Sequence, residues 1–308
     1  MATFISGPNK LPNSLTPVFS IIIPVFNSAQ SLTDNLQSIA AQNFKEYEII
    51  FVDGASTDNT VQRIADFQNL NSDIKIKLLS APDRGIYDAM NKGINLAEGE
   101  WLYFMGCDDR LYSPVVLSAI HREIEKENAD LVYGNVLGIT SKIKYVYDTV
   151  SKVLSTGIHH QSIFYKARLF KELGKYELNF KIAADYHFTL KVFLNRRYVT
   201  RYINQDIAWY GEGGYSSKNF DYKFYSGHYR MLASNNAIGK IDEPEKCLEN
   251  SVYCCLYLAK EKKDLRFAWR NLLYYTLRLK GPDVSFSIKT ITRMVMWSLK
   301  PKPGSPQV

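Results

Sequence analysis

The chain has 308 residues, 46% hydrophobic and 22% charged, an ordinary globular composition with room for one large domain and an appendage. Its formal charge of +7 is moderate and is not gathered into a nucleic-acid-binding motif, so a nucleic-acid partner is not expected. No stretch approaches the roughly 18 apolar residues of a spanning helix, the four Cys form no C-x-x-C pair, and the polar opening of the chain lacks signal-peptide order, so a cytoplasmic protein with reduced thiols is expected.

In chain order, residues 1–17 read as an N-terminal extension. An apolar strand over 19–26 follows, then a helix carrying Ala29, Leu32, Leu36, Ile39 and Ala40 at helical spacing, with Asn27 or Ser28 as N-cap. A strand over 47–53 precedes a helix through Val61, Ile64, Ala65 and Phe67. A strand over 74–79, a helix over 89–97 and a strand over 101–105 come next. Beyond Pro114 the pattern predicts a helix over 115–127, strands over 130–135 and 142–147, and a helix over 183–195 with Ala184, Phe188, Leu190, Val192 and Phe193 apolar. From about Asp221 only helical signals remain, broken near Pro244 and Gly281-Pro282, and 300–308 reads as a disordered tail. The expected division is an α/β catalytic domain over 18–220 and a helical C-terminal extension over 221–299. Strand–helix alternation with short loops argues for a mostly parallel, twisted sheet flanked by helices.

The apolar strands end in carboxylates: Asp53 in Val52-Asp53-Gly54-Ala55-Ser56-Thr57-Asp58, Asp83 in Asp83-Arg84-Gly85, and Asp108-Asp109 after Trp101-Leu102-Tyr103-Phe104-Met105. Ligands of open α/β sheets bind beyond the carboxyl ends of the strands, so three such ends suggest a site for a nucleotide and a hard metal ion. Asp53 can accept from the N3–H of a uracil ring or merely cap the next turn. Pro24, Phe26 and Asn27 close the first strand beside it as a wall of the base pocket. Arg84 offers a planar fork of donors for phosphate, with Asp83 beside it. Two adjacent carboxylates repel unless a cation lies near, and Mg²⁺ or Mn²⁺ prefers such oxygens. Farther on, His159 and His160 are candidates to line an acceptor site or touch phosphate; adjacent residues do not share one strand face, so joint chelation of one metal is not expected, and a structural role is expected for at least one of them.

The order and spacing of Asp53-Gly54-x-Ser56-x-Asp58, the segment 85–93 and the terminal Asp-Asp resemble an inverting family 2 glycosyltransferase of the GT-A fold, of the bacterial surface-polysaccharide type. The run Phe19-Ser20-Ile21-Ile22-Ile23-Pro24-Val25-Phe26-Asn27 is similar to that family's first strand, and the resemblance covers roughly residues 18–215. It implies transfer of a sugar from a nucleotide-sugar donor, UDP-linked, to a hydroxyl of a glycan or lipid-linked saccharide, aided by a divalent metal (Mn²⁺ or Mg²⁺). It makes Asp53 a base-binding residue and points Asn91 or Lys92 towards the nucleotide. Asp108 becomes both a donor-site and a metal residue, with Asp109 beside it as metal ligand. Gly106 or Cys107 stands where the first Asp of the family's D-x-D would fall, a departure from the pattern that leaves open whether Asp108 or Asp109 binds. The family's catalytic base, an Asp at a helix start, maps to Asp185. The glycine-rich stretch Gly211-Glu212-Gly213-Gly214-Tyr215 maps to a lid, with Gly213 and Tyr215 near the acceptor.

The last helices mix Lys262, Lys263, Arg266, Arg270, Lys289 and Arg293 with Trp269, Phe286, Ile288, Ile291, Val295 and Trp297. That pattern suits either a peripheral contact of residues 262–300 with the inner face of the cell membrane or plain packing with a wet basic face. Two other enzyme classes are disfavoured. Asn27-Ser28-Ala29-Gln30 lacks the glycine-rich basic loop of nucleotidyl transfer, and no G-x-G-x-x-G follows the first strand as a dehydrogenase requires. A catalytically inactive sugar-nucleotide-binding or scaffolding subunit of a glycan-assembly complex is the alternative from another class.

Overall fold

The computed structural model of the chain describes residues 3–6, 16–126, 128–214, 219–234, 244–261, 263–278 and 284–299. The elements are β1 (Thr3–Ser6), β2 (Phe19–Val25), α1 (Leu32–Ala40), β3 (Tyr47–Asp53), α2 (Thr60–Leu70), β4 (Lys75–Ser80), α3 (Ile86–Leu96), β5 (Trp101–Phe104), β6 (Arg110–Leu111) and α4 (Val116–Lys126). They continue with β7 (Leu131–Gly138), β8 (Lys144–Tyr145), α5 (Val150–Thr156), β9 (Ile163–Lys166), α6 (Arg168–Glu172), α7 (Ala184–Leu194) and β10 (Thr200–Tyr210). The helices α8 (Tyr222–Tyr225), α9 (His228–Ser234), α10 (Pro244–Glu261), α11 (Leu265–Arg278) and α12 (Val284–Leu299) complete the order.

The chain divides into two compact units. The first holds 1–148 and 158–218, the second 149–157 and 219–308. The first unit is built on one sheet in the order β1-β4-β3-β2-β5-β9-β7-β10-β6, with β8 beside β7. β4, β3, β2 and β5 run parallel. The crossovers that parallel pairing demands are α1, α2 and α3. Beyond β5 the sheet becomes mixed: β9 is antiparallel to β5 and β7, and β10 runs parallel to β7. β2 and β3 are buried along their whole length, which is why each reads as an unbroken apolar run.

Several elements depart from the sequence expectation for local reasons. α1 starts at Leu32 with Ser31 as N-cap, not at Asn27 or Ser28. The Ser28 carbonyl already accepts the amides of Ser31 and Leu32 in a turn. The strand expected over 142–147 shrinks to Lys144–Tyr145, because Thr140 and Ser141 form a turn and Lys142 has φ 59. Thr3–Ser6, inside the expected N-terminal extension, pairs antiparallel with Lys77–Ser80 and covers the sheet edge. Residues 300–308, expected as a disordered tail, lie outside the described residues.

The register of the parallel strands sets the site. Val25 stands opposite Asp53, and Asp53 opposite Ser80, so three strand ends finish in one row. Gly54 N donates to the Val25 carbonyl at 2.9 Å, and Ala81 N to that of Asp53 at 2.9 Å. Below α7 lies an aromatic cluster. Phe170 and Phe188 stack at 4.1 Å, Tyr176 meets both edge-on, and the Tyr165 hydroxyl bonds Thr189 at 2.8 Å. Much of the aromatic share of the first unit is therefore core packing, and it holds the helix that carries Asp185.

In the second unit, Val252, Cys255, Leu256, Ala259, Phe267, Ala268, Leu272 and Met294 form the core. His228 is buried there between the Leu154 carbonyl at 2.8 Å and Ser251 Oγ at 2.9 Å.

α3 sits close against β2 at Gly93, where an added Cβ would lie 2.4 Å from Ile22 Cγ2. Both sides are ordered core, so overpacking of about 1–3 kcal/mol is expected for Gly93→Ala. A denaturant titration of the variant should show a lowered midpoint; an unchanged midpoint would mean that α3 shifts freely on the sheet.

Candidate active site

The row of strand ends is closed by loops that hold one another through short side chains. Asp53 is fully buried. Its carboxylate accepts from the Ser56 amide at 3.1 Å and from Ser80 Oγ at 2.6 Å, with Ser56 Oγ also donating. Asp58 accepts from the amides of Ala29 at 3.1 Å and Thr60 at 3.0 Å, tying the loop after β2 to the start of α2. Asn27, at φ 47, accepts from the Thr57 amide at 2.9 Å and donates its own amide to Ser56 Oγ at 2.8 Å. These residues build the floor of the cleft. Phe26 stands out of it, 62% exposed, with Pro24 buried behind.

The next loop folds on itself. Asp83 Oδ1 accepts from the Gly85 amide at 2.8 Å, and Gly85 has φ 112, a conformation that favours glycine. A Cβ on Gly54 would lie 2.7 Å from Asp83 Oδ2, so the loops after β3 and β4 touch. Arg84 is largely exposed and pairs with Asp88 at 3.3 Å. Asn91 and Lys92, expected near the nucleotide, are both engaged within the protein. The Asn91 amide bonds the Tyr176 backbone at both ends, at 2.9 and 3.0 Å, and Lys92 Nζ donates to the Pro82 carbonyl at 2.8 Å. Each fastens α3 to a neighbouring segment.

The adjacent carboxylates after β5 face opposite ways. Asp109 is buried and takes three donors: the Gly106 amide at 2.7 Å, Gln161 Nε2 at 2.8 Å and the Gly211 amide at 2.8 Å. Asn35 fixes the same turn by donating to the carbonyls of Gly106 at 2.8 Å and Asp109 at 3.0 Å. Burial and the neighbouring Asp108 push the Asp109 carboxyl above the usual range, against the pull of His160, Gly211 and Gln161. Asp108 is exposed. A Cβ on Gly211 would fall 2.1 Å from its Oδ2, so only a glycine lets the loop after β10 pass there. Of the two candidate metal ligands, Asp109 is turned inward as a clasp and Asp108 is turned outward.

Among the described residues no group of three or more His, Cys, Asp or Glu is placed to hold a metal ion. A single outward carboxylate fits Mg²⁺ or Mn²⁺ that arrives with substrate phosphates, since such ions commonly take one or two carboxylates and complete their shell from phosphate and water.

Asp185 lies in the first turn of α7, whose N-cap is Ala183. It does not cap the helix. Its Oδ1 accepts the Tyr186 amide at 2.8 Å and faces the Tyr87 hydroxyl at 2.8 Å, and its Oδ2 faces His160 Nδ1 at 3.1 Å. Tyr87 also touches the Ile182 carbonyl. The two adjacent histidines differ sharply. His159 packs at a tilt against Tyr145 and Tyr210, with ring centroids at 4.8 and 4.3 Å, and bonds the Tyr147 hydroxyl. Burial pushes it down to about 4, so it stays neutral. Burial alone would lower His160 as well, but the Asp185 hydrogen bond and the charges of Asp185, Asp109 and Asp108 hold it above the ordinary histidine value.

Gly211–Gly214 continue from β10, with Glu212 accepting the amides of Thr140 at 2.6 Å and Ser141 at 2.7 Å. Gly213 is exposed, with open space where a Cβ would be. Tyr215 lies outside the described residues. Sequence reasoning missed Tyr87, Gln161 and Gly211 as individual positions. Each nonetheless stands inside or beside a motif that was noticed: the 85–93 segment, the His-His pair and the glycine-rich stretch.

The two aspartates should separate by stability. Asp109→Ala strands three donors, one buried at Gln161 and two half-buried at Gly106 and Gly211, at up to about 1–3 kcal/mol each, and should lower the thermal midpoint by several degrees. Asp108→Ala should stay within about 0.5 kcal/mol of the parent. Equal midpoints for the two variants would contradict the inward and outward assignment.

The Glycosyl transferase family 2 model matches residues 20–191. A curated relative, the "PGL/p-HBAD biosynthesis glycosyltransferase" of Mycobacterium bovis (strain BCG / Pasteur 1173P2), is 40% identical over 212 residues, covering 68% of this chain and 82% of its own. Among solved structures, Staphylococcus aureus TarS 1-349 in complex with UDP-GlcNAc superposes with TM-score 0.61 at 21% identity, covering 91% of this chain and 81% of that one. A mannosyltransferase from Pyrobaculum calidifontis in complex with GDP-Man and Mn²⁺ gives TM-score 0.57 at 17% identity, covering 94% and 88%. The architecture is GT-A-like: a curled α/β sheet flanked by helices.

Proposed function

The chain belongs to glycosyl transferase family 2, and on that premise we propose that it moves one sugar from a UDP-linked donor to a saccharide hydroxyl, with inversion, in the assembly of a bacterial surface glycan. The observation that carries the reading is a division of labour between carboxylates. Asp108 faces out at the end of β5, while Asp185 is held apart on α7 in a hydrogen bond with His160.

The nucleotide lies against the loops after β2, β3 and β4. Phe26, beside Pro24 and Asn27, offers the base an exposed ring face. Asp53 stands beneath, its lone pairs partly used by Ser56 and Ser80. Arg84, anchored near Asp83, can swing to phosphate at little cost, because its exposed pair with Asp88 contributes little. The UDP-GlcNAc complex of TarS supports a uridine donor. Asp108 would hold a divalent cation together with the diphosphate of the donor, and that cation supplies Lewis-acid neutralisation of the leaving group. Gly213 extends the loop that passes over Asp108 and would cover the diphosphate.

On the acceptor side, the Asp185–His160 pair takes the proton of the incoming hydroxyl. The oxygen attacks the anomeric carbon from the face opposite the diphosphate, and a single displacement inverts the centre. Names of relatives that mention PGL/p-HBAD biosynthesis and poly(ribitol-phosphate) support a saccharide acceptor on a larger cell-envelope molecule.

No helix among the described residues is long and apolar enough to cross a membrane. On α12, Ile288, Ile291, Val295 and Met296 are 40–59% exposed, flanked by exposed Lys289 and Arg293. That face suits a peripheral contact with anionic lipid. Sedimentation with phosphatidylglycerol vesicles should carry the protein down, and Ile288→Asp with Met296→Asp should release it; equal sedimentation of both would remove α12 from the contact.

Titration with UDP, GDP and ADP by calorimetry, with and without Mn²⁺, tests the donor site. UDP should bind more tightly with Mn²⁺, and Asp108→Ala should abolish that gain. Asp185→Asn should keep UDP affinity and lose at least about 10²-fold in turnover. Absence of nucleotide binding under every condition would sink the transferase reading, and binding without turnover would favour a binding subunit.

A further inference from the structure

Two helices meet at the carboxylate in the first turn of α7. α3 begins at Ile86, directly after the Asp83-Arg84-Gly85 loop, and its second residue is Tyr87. The Tyr87 hydroxyl crosses to Asp185 Oδ1 at 2.8 Å and also touches the Ile182 carbonyl, just ahead of α7. The ring is buried and packs at a tilt against Tyr176, with centroids 5.6 Å apart, so packing aims the hydroxyl at these two oxygens. The Tyr186 amide and His160 Nδ1 hold Asp185 from α7 itself and from the turn before β9. Tyr87 reaches it from the helix that follows the donor loop. The same turn of α3 carries Asp88, the partner of Arg84, so that loop and the carboxylate are joined through one helical turn.

Burial and the charge of Asp185 hold the Tyr87 hydroxyl well above the ordinary tyrosine value, so it remains a neutral O–H. A phenol has one proton to donate and lone pairs with which to accept. Here it faces two acceptors, a carboxylate oxygen and a backbone carbonyl. With Asp185 ionised, the proton goes to Oδ1, the charged and therefore stronger acceptor. With Asp185 protonated, the phenol oxygen accepts from the carboxylic acid and turns its own O–H to the Ile182 carbonyl. A ring needed only for packing would do as well without the hydroxyl.

Resting on the transferase reading above, we propose that Tyr87 is a positioning residue for Asp185: its hydroxyl holds the carboxylate before the acceptor proton arrives and the carboxylic acid afterwards. In the step, the acceptor O–H bond breaks and its proton passes to Asp185. The oxygen's electron pair forms the bond to the anomeric carbon. The bond from that carbon to the diphosphate oxygen breaks, and its pair leaves on the diphosphate. Tyr87 gives up no proton; it redirects its own from Oδ1 to the Ile182 carbonyl. Asp185 returns the acceptor proton to water after the products depart.

The test uses the full chain with UDP-glucose, UDP-galactose and UDP-GlcNAc plus Mn²⁺, following donor hydrolysis with water as acceptor, with UDP affinity measured by calorimetry. Tyr87→Phe keeps the ring and removes the hydroxyl. It should leave UDP affinity and donor KM within about twofold of the parent and lower kcat by about 10–100-fold, the scale of a misplaced reacting group. A ring-fluorinated tyrosine at position 87, which keeps the hydroxyl, should retain most of the parent kcat. Because Tyr87 acts through Asp185, adding Tyr87→Phe to Asp185→Asn should change the residual rate by less than about twofold. Tyr87→Met is measured in parallel, so that a folding failure of one variant does not decide the outcome.

A Tyr87→Phe kcat within about twofold of wild type would make the residue a packing group and overturn the proposal while the transferase reading stands. A loss that multiplies with that of Asp185→Asn would give Tyr87 a separate role and also overturn it, as would loss of UDP binding in both Tyr87 variants. Wild-type protein that binds no nucleotide, or binds UDP and turns over none of the three donors, would overturn the transferase reading and this proposal together.

Discussion

The site depends on one buried carboxylate. Asp109 gathers donors from three separate places in the chain: the amide of Gly106 in its own turn, the side chain of Gln161 and the amide of Gly211. Each bond sets something else in place. The first shapes the turn that sends Asp108 outward. The second fixes the segment whose preceding residue, His160, meets Asp185. The third seats the start of the glycine-rich loop against Asp108. A charge taken out of water is tolerated only when its lone pairs are filled, so these three positions are coupled through a single group.

The same clasp explains how two adjacent carboxylates coexist after a buried strand. Side by side in one environment they would repel and share protons. Turning Asp109 inward, among donors that partly offset its burial, leaves Asp108 in solvent. His160 lies within the field of Asp108, Asp109 and Asp185. It is the basic side chain held by Asp185 in a site otherwise rich in acid.

The parallel half of the sheet was legible because its strands are buried on both faces, so β2, β3 and β5 appear as apolar runs closed by Asp or turn residues. The second half was not. β10 runs through Thr-Arg-Tyr-Ile-Asn-Gln-Asp with few buried positions, and β9 has only four residues, so neither gave a clear period. Buried polar partners are also silent in a sequence. Glu48 is wholly buried yet accepts Ser20 Oγ at 2.7 Å and meets Lys77 at 2.8 Å, and Asn91 bonds the Tyr176 backbone at both ends. Sequence proximity could not separate His159 from His160 or Asp108 from Asp109. In each pair the difference is made by partners 25 to 102 positions away, or by an aromatic cage closed by tertiary packing.

The most direct test of the central claim is anomalous scattering from Mn²⁺ in crystals grown with UDP and Mn²⁺. The account predicts one manganese peak bonded to the Asp108 carboxylate and to the diphosphate, with Asp109 still held by Gly106, Gln161 and Gly211. A peak ligated by Asp109, or nucleotide bound at the strand ends with manganese elsewhere, would contradict it.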